Sequence, residues 1–173
     1  MNTLLHWTDL IRSKFEKSLN LTWKTFGLRA FALKNIPLIF LVRPTVLKLD
    51  DNECEVKIPL NYLTKNHLRS MYIGVLATGA DLVAGLLTMQ HINKTSHKIQ
   101  LVFKDIQANF LRRPEADVHF KCQDGKAIQK LIETAIKKKE RVHQKLKILA
   151  YTPSISKKNP VAEFSLTLSL KVK

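Results

Sequence analysis

The stretch of sequence that decides the fold is residues 70–92, SMYIGVLATGADLVAGLLTMQHI. It is apolar nearly all round, which is typical of a buried helix. Its length approaches that of a membrane span, but Asp81 stands in its middle and glycines occur at positions 74, 79 and 85. Glycine lets other backbone approach closely. The stretch therefore predicts a central helix wrapped closely by a sheet, with Ser70 as its expected N-cap.

Strand patterns lie on both sides of this helix. Before it, apolar and polar residues alternate around an Asp-Asp-Asn turn at 50–52, which predicts a hairpin. After it, the periodicity predicts two strands, an amphipathic helix and two more strands, at residues 99–110, 118–122, 126–142, 146–151 and 162–172. Strands joined by hairpins and covered by one apolar helix indicate an α+β domain with an antiparallel sheet.

Residues 4–34 carry apolar side chains at helical spacing, together with lysines and arginines. Gly27 weakens this pattern, so two helical pieces are expected, and Pro37 prevents a long continuation. Amphipathic stripes usually face a core. Residues 1–43 are therefore expected to form an N-terminal helical extension packed on a domain of residues 44–173. A peripheral contact with an anionic membrane is the alternative for such a basic segment.

The composition narrows the function classes. The 173 residues suit one domain, and 45% hydrophobic content is ordinary for a globular protein. The net charge of +15 favours polyanionic partners, or else reflects a solvated lysine-rich surface. Cys54 and Cys122 lack metal-site spacing and no secretory signal is recognised, so a cytoplasmic protein without a metal site is expected. The absence of GxSxG, phosphate-loop and zinc motifs excludes the common enzyme classes that depend on them.

Several motifs carry a resemblance to a known superfamily. They are Pro44-Thr-Val-Leu, Asn66-His67, the run from Ser70 to Asp81, and Asn109-Phe-Leu-Arg-Arg-Pro followed by Asp117. In these motifs the chain resembles the hotdog-fold thioesterase superfamily, specifically its phenylacetyl-CoA-thioesterase-like branch and the uncharacterised families within it. The resemblance implies a hotdog fold, in which an antiparallel sheet wraps one long central helix. It also implies a homodimer or a dimer of dimers, with sites between subunits.

The resemblance assigns the chemistry to Asp81 and to Asn66, which stands 15 positions earlier. Asp81 would act as a general base for water or as a direct nucleophile. Asn66 would orient the water or hold the thioester. The alternatives are an Asp81 carboxylate bonded to neighbouring backbone or to Thr78, and an Asn66 that only shapes a turn.

Further site residues come from the start of the central helix and from a strand end. The amides of Ile73 and Gly74 would form an oxyanion hole, and Tyr72, which replaces the histidine of the family motif, would line the acyl channel. Ile73 replaces one motif glycine, and Ala116 replaces the glycine expected before Asp117. The best candidates for the CoA phosphates are Arg112 and Arg113.

Together these residues predict an acyl-CoA thioesterase whose CoA thioester is substrate, with no separate cofactor. Two other classes remain open. One is a hotdog module that holds an acyl ligand without turning it over. The other is a basic module that binds a membrane or nucleic acid, of which nucleic acid is the less expected partner.

Overall fold

The computed structural model describes the backbone of residues 2–173 and the side chains of residues 19–173. Two helices come first, and the remaining elements alternate strand pairs with single helices. In chain order they are α1 (Asn2–Asn35), α2 (Pro37–Leu41), β1 (Thr45–Leu49), β2 (Cys54–Ile58), α3 (Ile73–Ile92), β3 (Ile99–Phe110), β4 (Val118–Cys122), α4 (Gly125–Lys138), β5 (Val142–Tyr151) and β6 (Ala162–Val172).

The six strands form one antiparallel sheet in the order β1-β2-β4-β5-β6-β3. Helix α3 packs on this sheet and approaches it closely at Gly79, where an added Cβ would lie 2.4 Å from the Phe120 ring of β4. Only glycine fits there, as expected for a helix held tightly by strands. The α+β architecture with one central apolar helix, predicted from residues 70–92, is confirmed.

Helix α3 is long and apolar enough to cross a membrane by length and composition alone. It lies instead against the sheet, with Val83, Ala84 and Leu87 fully buried. A core helix of a globular protein meets the same length and hydropathy criteria as a membrane span.

The β1 edge of the sheet is covered by α1 through polar side chains. Thr25 Oγ1 accepts a hydrogen bond from the Val46 amide at 3.0 Å, and Lys24 Nζ donates to the Leu49 carbonyl at 3.0 Å. Arg29 donates to backbone carbonyls at the start of β1. Side chains of α1 therefore occupy backbone groups that an edge strand would otherwise present to solvent.

The β3 edge is bare by contrast. Strand β3 pairs with β6 on one side, and within the described part of the chain no strand pairs with its other side. Its exposed apolar side chains include Val102, Ile106 and Phe110, at 40%, 48% and 47% exposure. A long unprotected edge of this kind is a template for pairing with another strand.

Helix α1 departs from its prediction. It is one continuous helix, and Gly27 does not divide it, because a glycine in an exposed helix costs only about 1 kcal/mol. Trp23, Phe26 and Phe31 point to solvent, while Leu28, Ala32 and several polar side chains face the domain. The apolar face predicted for residues 4–15 lies outside the residues whose side chains are described.

Two element boundaries also differ from prediction. Tyr72, not Ser70, is the N-cap position of α3, because Ser70 is bonded within the preceding turn. Helix α4 ends at Lys138, since Lys139 adopts a left-handed conformation with φ 54°. This lets β5 begin at Val142, four residues earlier than expected.

Candidate active site

One face of α3 is left open by the sheet, and it is built from small residues around a single acid. The members recur at helical spacing, so they lie in one line along the helix. They are Gly74, Ala77, Thr78, Asp81 and Gly85, all partly or fully exposed. The small side chains leave room beside the helix, and Asp81 supplies the only charge on this line.

An open groove of about 410 Å³ runs past Asp81. Its walls are α2, the middle of β3 and the open face of α3. Most wall residues are apolar, among them Ile36, Leu38, Phe103 and Ile106. The groove therefore suits a hydrocarbon chain laid beside a carboxylate.

The Asp81 carboxylate receives no hydrogen bond from any residue that the structure describes, and it is exposed to the groove rather than enclosed by the sheet. Asp81 therefore lies on the part of the apolar helix that the sheet does not cover. Thr78 does not bond Asp81, because its hydroxyl donates to the Gly74 carbonyl at 2.8 Å. Burial by neighbouring protein atoms still raises the pKa of Asp81 above its ordinary value of 3.8. An unpaired carboxylate with a raised pKa is a suitable general base.

The start of α3 presents free amides. The amides of Val75 and Leu76 both donate to the Tyr72 carbonyl, at 2.9 and 3.1 Å. The two amides before them, of Ile73 and Gly74, have no acceptor among the described residues, as is usual for a first helical turn. Free amides of this kind can donate hydrogen bonds to an oxyanion.

The Tyr72 ring lies over Gly74, where an added Cβ would come within 2.6 Å of it. The ring is 53% exposed, so it forms one wall of the approach to these amides. This is consistent with Tyr72 as a lining residue in place of the motif histidine.

Asn66 shapes the turn before α3. Its Oδ1 accepts hydrogen bonds from the Leu68 amide at 2.9 Å, the Ser70 amide at 3.2 Å and the Ser70 hydroxyl at 3.3 Å. Its Nδ2 donates to no acceptor in residues 19–173, so the amide group is available to a ligand. Asn66 does not line the groove at Asp81, so a single chain does not bring the two predicted catalytic residues together.

Arg112 and Arg113 lie just beyond β3. Arg112 Nη1 donates to the Pro160 carbonyl at 3.0 Å, and Arg113 Nη2 donates to the Leu68 carbonyl at 2.7 Å. Arg113 therefore lies beside the turn that Asn66 shapes, near the start of α3. Both side chains are exposed, and neither lines the Asp81 groove.

The sequence did not predict which residues line the groove. Leu38 and Ile39 of α2, with Ile36 just before it, form one wall, and Phe103 of β3 forms another. The apolar run after Pro37 signals a short helix, but no periodicity indicates which element it faces. Among the described residues, no group of three His, Cys, Asp or Glu side chains is placed to hold a metal ion.

Comparisons with known proteins identify the family and the fold of the chain. The sequence profile of a domain of unknown function, DUF4442, matches residues 27–168. No curated protein matches the sequence. Three solved structures are similar over most of their length. A protein of unknown function from Chlorobaculum tepidum is 13% identical with a TM-score of 0.73, and the match covers 88% of this chain and 97% of that chain. A "probable thioesterase" from Pseudomonas aeruginosa is 21% identical with a TM-score of 0.70, over 86% of this chain and 96% of that chain. A thioesterase from Haemophilus influenzae is 16% identical with a TM-score of 0.60, over 81% of this chain and 86% of that chain. At these identities the likeness shows the fold, and the predicted hotdog fold is confirmed.

Proposed function

The chain belongs to the DUF4442 family, and we propose that it is an acyl-thioester hydrolase in which Asp81 activates water. The observation that carries this proposal is the unpaired Asp81 carboxylate, with its raised pKa, at the wall of an apolar groove. Structural neighbours named as thioesterases support the reaction class.

The reaction needs only groups that this chain supplies. Asp81 takes a proton from water as the water oxygen attacks the thioester carbonyl carbon. The carbonyl oxygen becomes an oxyanion that accepts hydrogen bonds from the amides of Ile73 and Gly74. The tetrahedral intermediate then expels the thiolate, which takes the proton from Asp81, and the carboxylic acid product remains.

The site requires two chains on this proposal. Ile73 and Asp81 stand eight positions apart, so their backbones are about 12 Å apart along α3. A water held by Asp81 must be about 3 Å from a carbonyl bound by the amides. The amides of one chain would therefore serve the Asp81 of a second copy. Pairing of two β3 edges would bring the copies together, because the Asp81 groove borders β3.

Acyl-CoA is the proposed substrate. The apolar groove would take the acyl chain, and Arg112 and Arg113 would bind the CoA phosphates, since guanidinium groups match phosphate oxygens. Asn66 would use its free Nδ2 to hold the thioester. A homodimer follows from the two-chain site, and no separate cofactor is required.

The test is the pair of variants Asp81→Asn and Asp105→Asn. Both acids line the groove, but Asp105 already accepts a hydrogen bond from the Thr167 hydroxyl at 2.8 Å. Loss of a general base typically lowers kcat about 10²- to 10⁴-fold, so Asp81→Asn should have this effect on CoA release and Asp105→Asn a far smaller one. Equal effects of the two substitutions would contradict the role of Asp81.

A second candidate function is acyl-CoA binding without hydrolysis. It is favoured by the Tyr72 ring, which covers part of the approach to Gly74. Tight binding of acyl-CoA of any chain length by the wild-type protein, with no release of CoA, would support this function and exclude the hydrolase.

A further inference from the structure

Helix α1 differs from an ordinary surface helix because it exposes large apolar side chains on its outer face. Its polar side chains Lys24, Thr25 and Arg29 face the domain and bond to its backbone. Leu28 and Ala32 also pack toward the core, but the larger apolar side chains on the opposite side face solvent, with Trp23 and Phe26 at 71% and 65% exposure. A helix on a water-exposed surface normally buries its apolar face and exposes its polar face. The outer face of α1 is therefore adapted to a surrounding other than water.

We define the outer stripe of α1 as Leu19, Trp23, Phe26, Ala30 and Leu33. These residues are spaced four and three apart, so they form one line about 21 Å long on a helix that rises 1.5 Å per residue. The Trp23 and Phe26 rings contact each other edge to face, with centroids 6.2 Å apart. Exposed apolar residues continue past the stripe at Ile36 and Leu38, at 43% and 56% exposure. A contiguous apolar surface of this kind marks an interaction site.

The charged side chains in the described part of α1 are all cationic. Residues 19–49 contain five lysines and arginines and no aspartate or glutamate, although Lys24 and Arg29 face the domain and only Lys34 lies beside the stripe. Lys34 is exposed beside the stripe, since it follows Leu33 and lies within one turn of Ala30. Apolar and aromatic side chains flanked by cations match a bilayer with anionic headgroups, because the apolar groups enter the headgroup boundary and the cations remain at its charged surface.

We propose that the outer stripe of α1 docks the protein on an anionic lipid bilayer. A second copy of the chain fits this surface less well, because residues 19–49 contain no aspartate or glutamate that could meet the exposed Lys34 of the other copy. The exposed apolar surface also continues through Ile36 to Leu38 of α2, and both of these residues line the groove at Asp81. Docking would therefore place one wall of the groove beside the lipid surface.

Co-sedimentation with vesicles tests the docking without any substrate. The probes are vesicles of phosphatidylcholine mixed with phosphatidylglycerol, and vesicles of phosphatidylcholine alone. Wild-type protein should sediment with the anionic vesicles, more weakly as salt rises, and much less with the neutral ones. The double variant Trp23→Glu with Phe26→Glu should lose partitioning by at least about tenfold, because two large apolar side chains no longer enter the interface. Lys34→Gln should lose about fivefold, the effect of one cation near an anionic surface.

The matched control is Ile155→Glu, which makes the same change at a side chain that is 62% exposed in the loop after β5. It should partition as the wild type does. Thermal melts should show both variants folded, since the substituted side chains are exposed. Absence of wild-type binding to anionic vesicles would overturn the proposal. So would full binding by the double variant, or a double variant that changes only the oligomeric mass, which would identify a second copy as the occupant.

Discussion

The two edges of the sheet differ in whether other side chains cover them. At β1, the chain covers its own edge with Thr25, Lys24 and Arg29 of α1. At β3, a twelve-residue strand remains unpaired on its outer side and exposes apolar residues. An uncovered edge invites strand pairing, and a covered one prevents it. On the two-chain proposal, self-association uses only the β3 edge, which borders the Asp81 groove.

The acids near the two edges also differ in the direction of their pKa shifts. In the β1–β2 turn, hydrogen bonds from the Lys48 and Lys121 side chains lower the pKa of Glu53. Near β3, burial raises the pKa of Asp81 and no described group offsets it. Glu53 therefore stabilises the fold in its charged form, whereas Asp81 is destabilised in that form. This is the pattern expected when one edge is structural and the other functional.

The largest effect should come from blocking the bare edge. We expect the double variant Val102→Asp with Ala108→Asp to be monomeric, because charges on an edge strand prevent pairing. Both side chains are exposed in the chain, so the fold should persist. If the site needs two chains, kcat/KM should fall about 10³-fold, within the range for loss of a general base.

Sedimentation equilibrium and CoA release measure this result together. Ile155→Asp, at an exposed apolar residue away from the sheet edge, is the control and should leave both unchanged. A monomer that retains full activity would show that one chain holds the whole site. If the wild-type protein is itself monomeric, the exposed β3 edge has no role in forming the site.

The next largest effect should come from the start of α3, at the proposed partner end of the site. Ile73→Pro removes one amide hydrogen and keeps the helix, because proline suits the first helical position. Tyr72 already has the extended conformation, ψ 141°, that a following proline requires. We expect kcat to fall about 10²-fold, as for the loss of one oxyanion donor.

Ile73→Ala keeps the amide and removes the side chain, so it separates the two contributions. It should retain most of the activity, since Ile73 is 54% exposed. If the alanine and proline variants lose activity equally, the side chain matters and the amide does not.

Much of the fold could be predicted from the sequence, because the periodicity of residues 70–92 and of the later strands reports burial directly. The exposure of Asp81 could not. A helix that is apolar nearly all round gives no sign of which face a curved sheet leaves open. Here the open face is the line of small residues from Gly74 to Gly85, which periodicity alone does not distinguish from close packing.

Helix α1 shows a second limit of sequence reasoning. The rule that apolar stripes face a core predicts Trp23 and Phe26 on the inside. The edge of β1 reverses this orientation, because its unpaired amides and carbonyls require polar partners such as Thr25. Which strand lies at an edge depends on long-range pairing, and local sequence does not encode it.

A smaller effect should follow from opening the covered edge. Thr25→Val removes the acceptor of the Val46 amide, and Val46 is only 2% exposed. An unsatisfied buried amide costs about 1–3 kcal/mol, so the free energy of unfolding should fall by that amount. Urea denaturation measures it, and Thr25→Ser, which keeps the acceptor, is the control. Activity per folded molecule should not change, whereas a specific loss of activity would mean that the covered edge also serves the site.

The smallest effects should be opposite changes in melting temperature at the two edges. At pH 7, Glu53→Gln should lower Tm, because the lowered pKa of Glu53 gives stability that is present above its unfolded pKa and lost as pH falls through the folded value. Asp81→Asn should raise Tm at pH 7. The raised pKa of Asp81 gives stability that is present below its unfolded value, near 3.8, and lost as pH rises through the folded pKa. Calorimetry between about pH 3 and pH 8, a range that spans ordinary carboxyl pKa values, should show both differences shrink toward acid pH. Changes of the same sign in the two variants at pH 7 would contradict the assignment of a structural acid to one edge and a functional acid to the other.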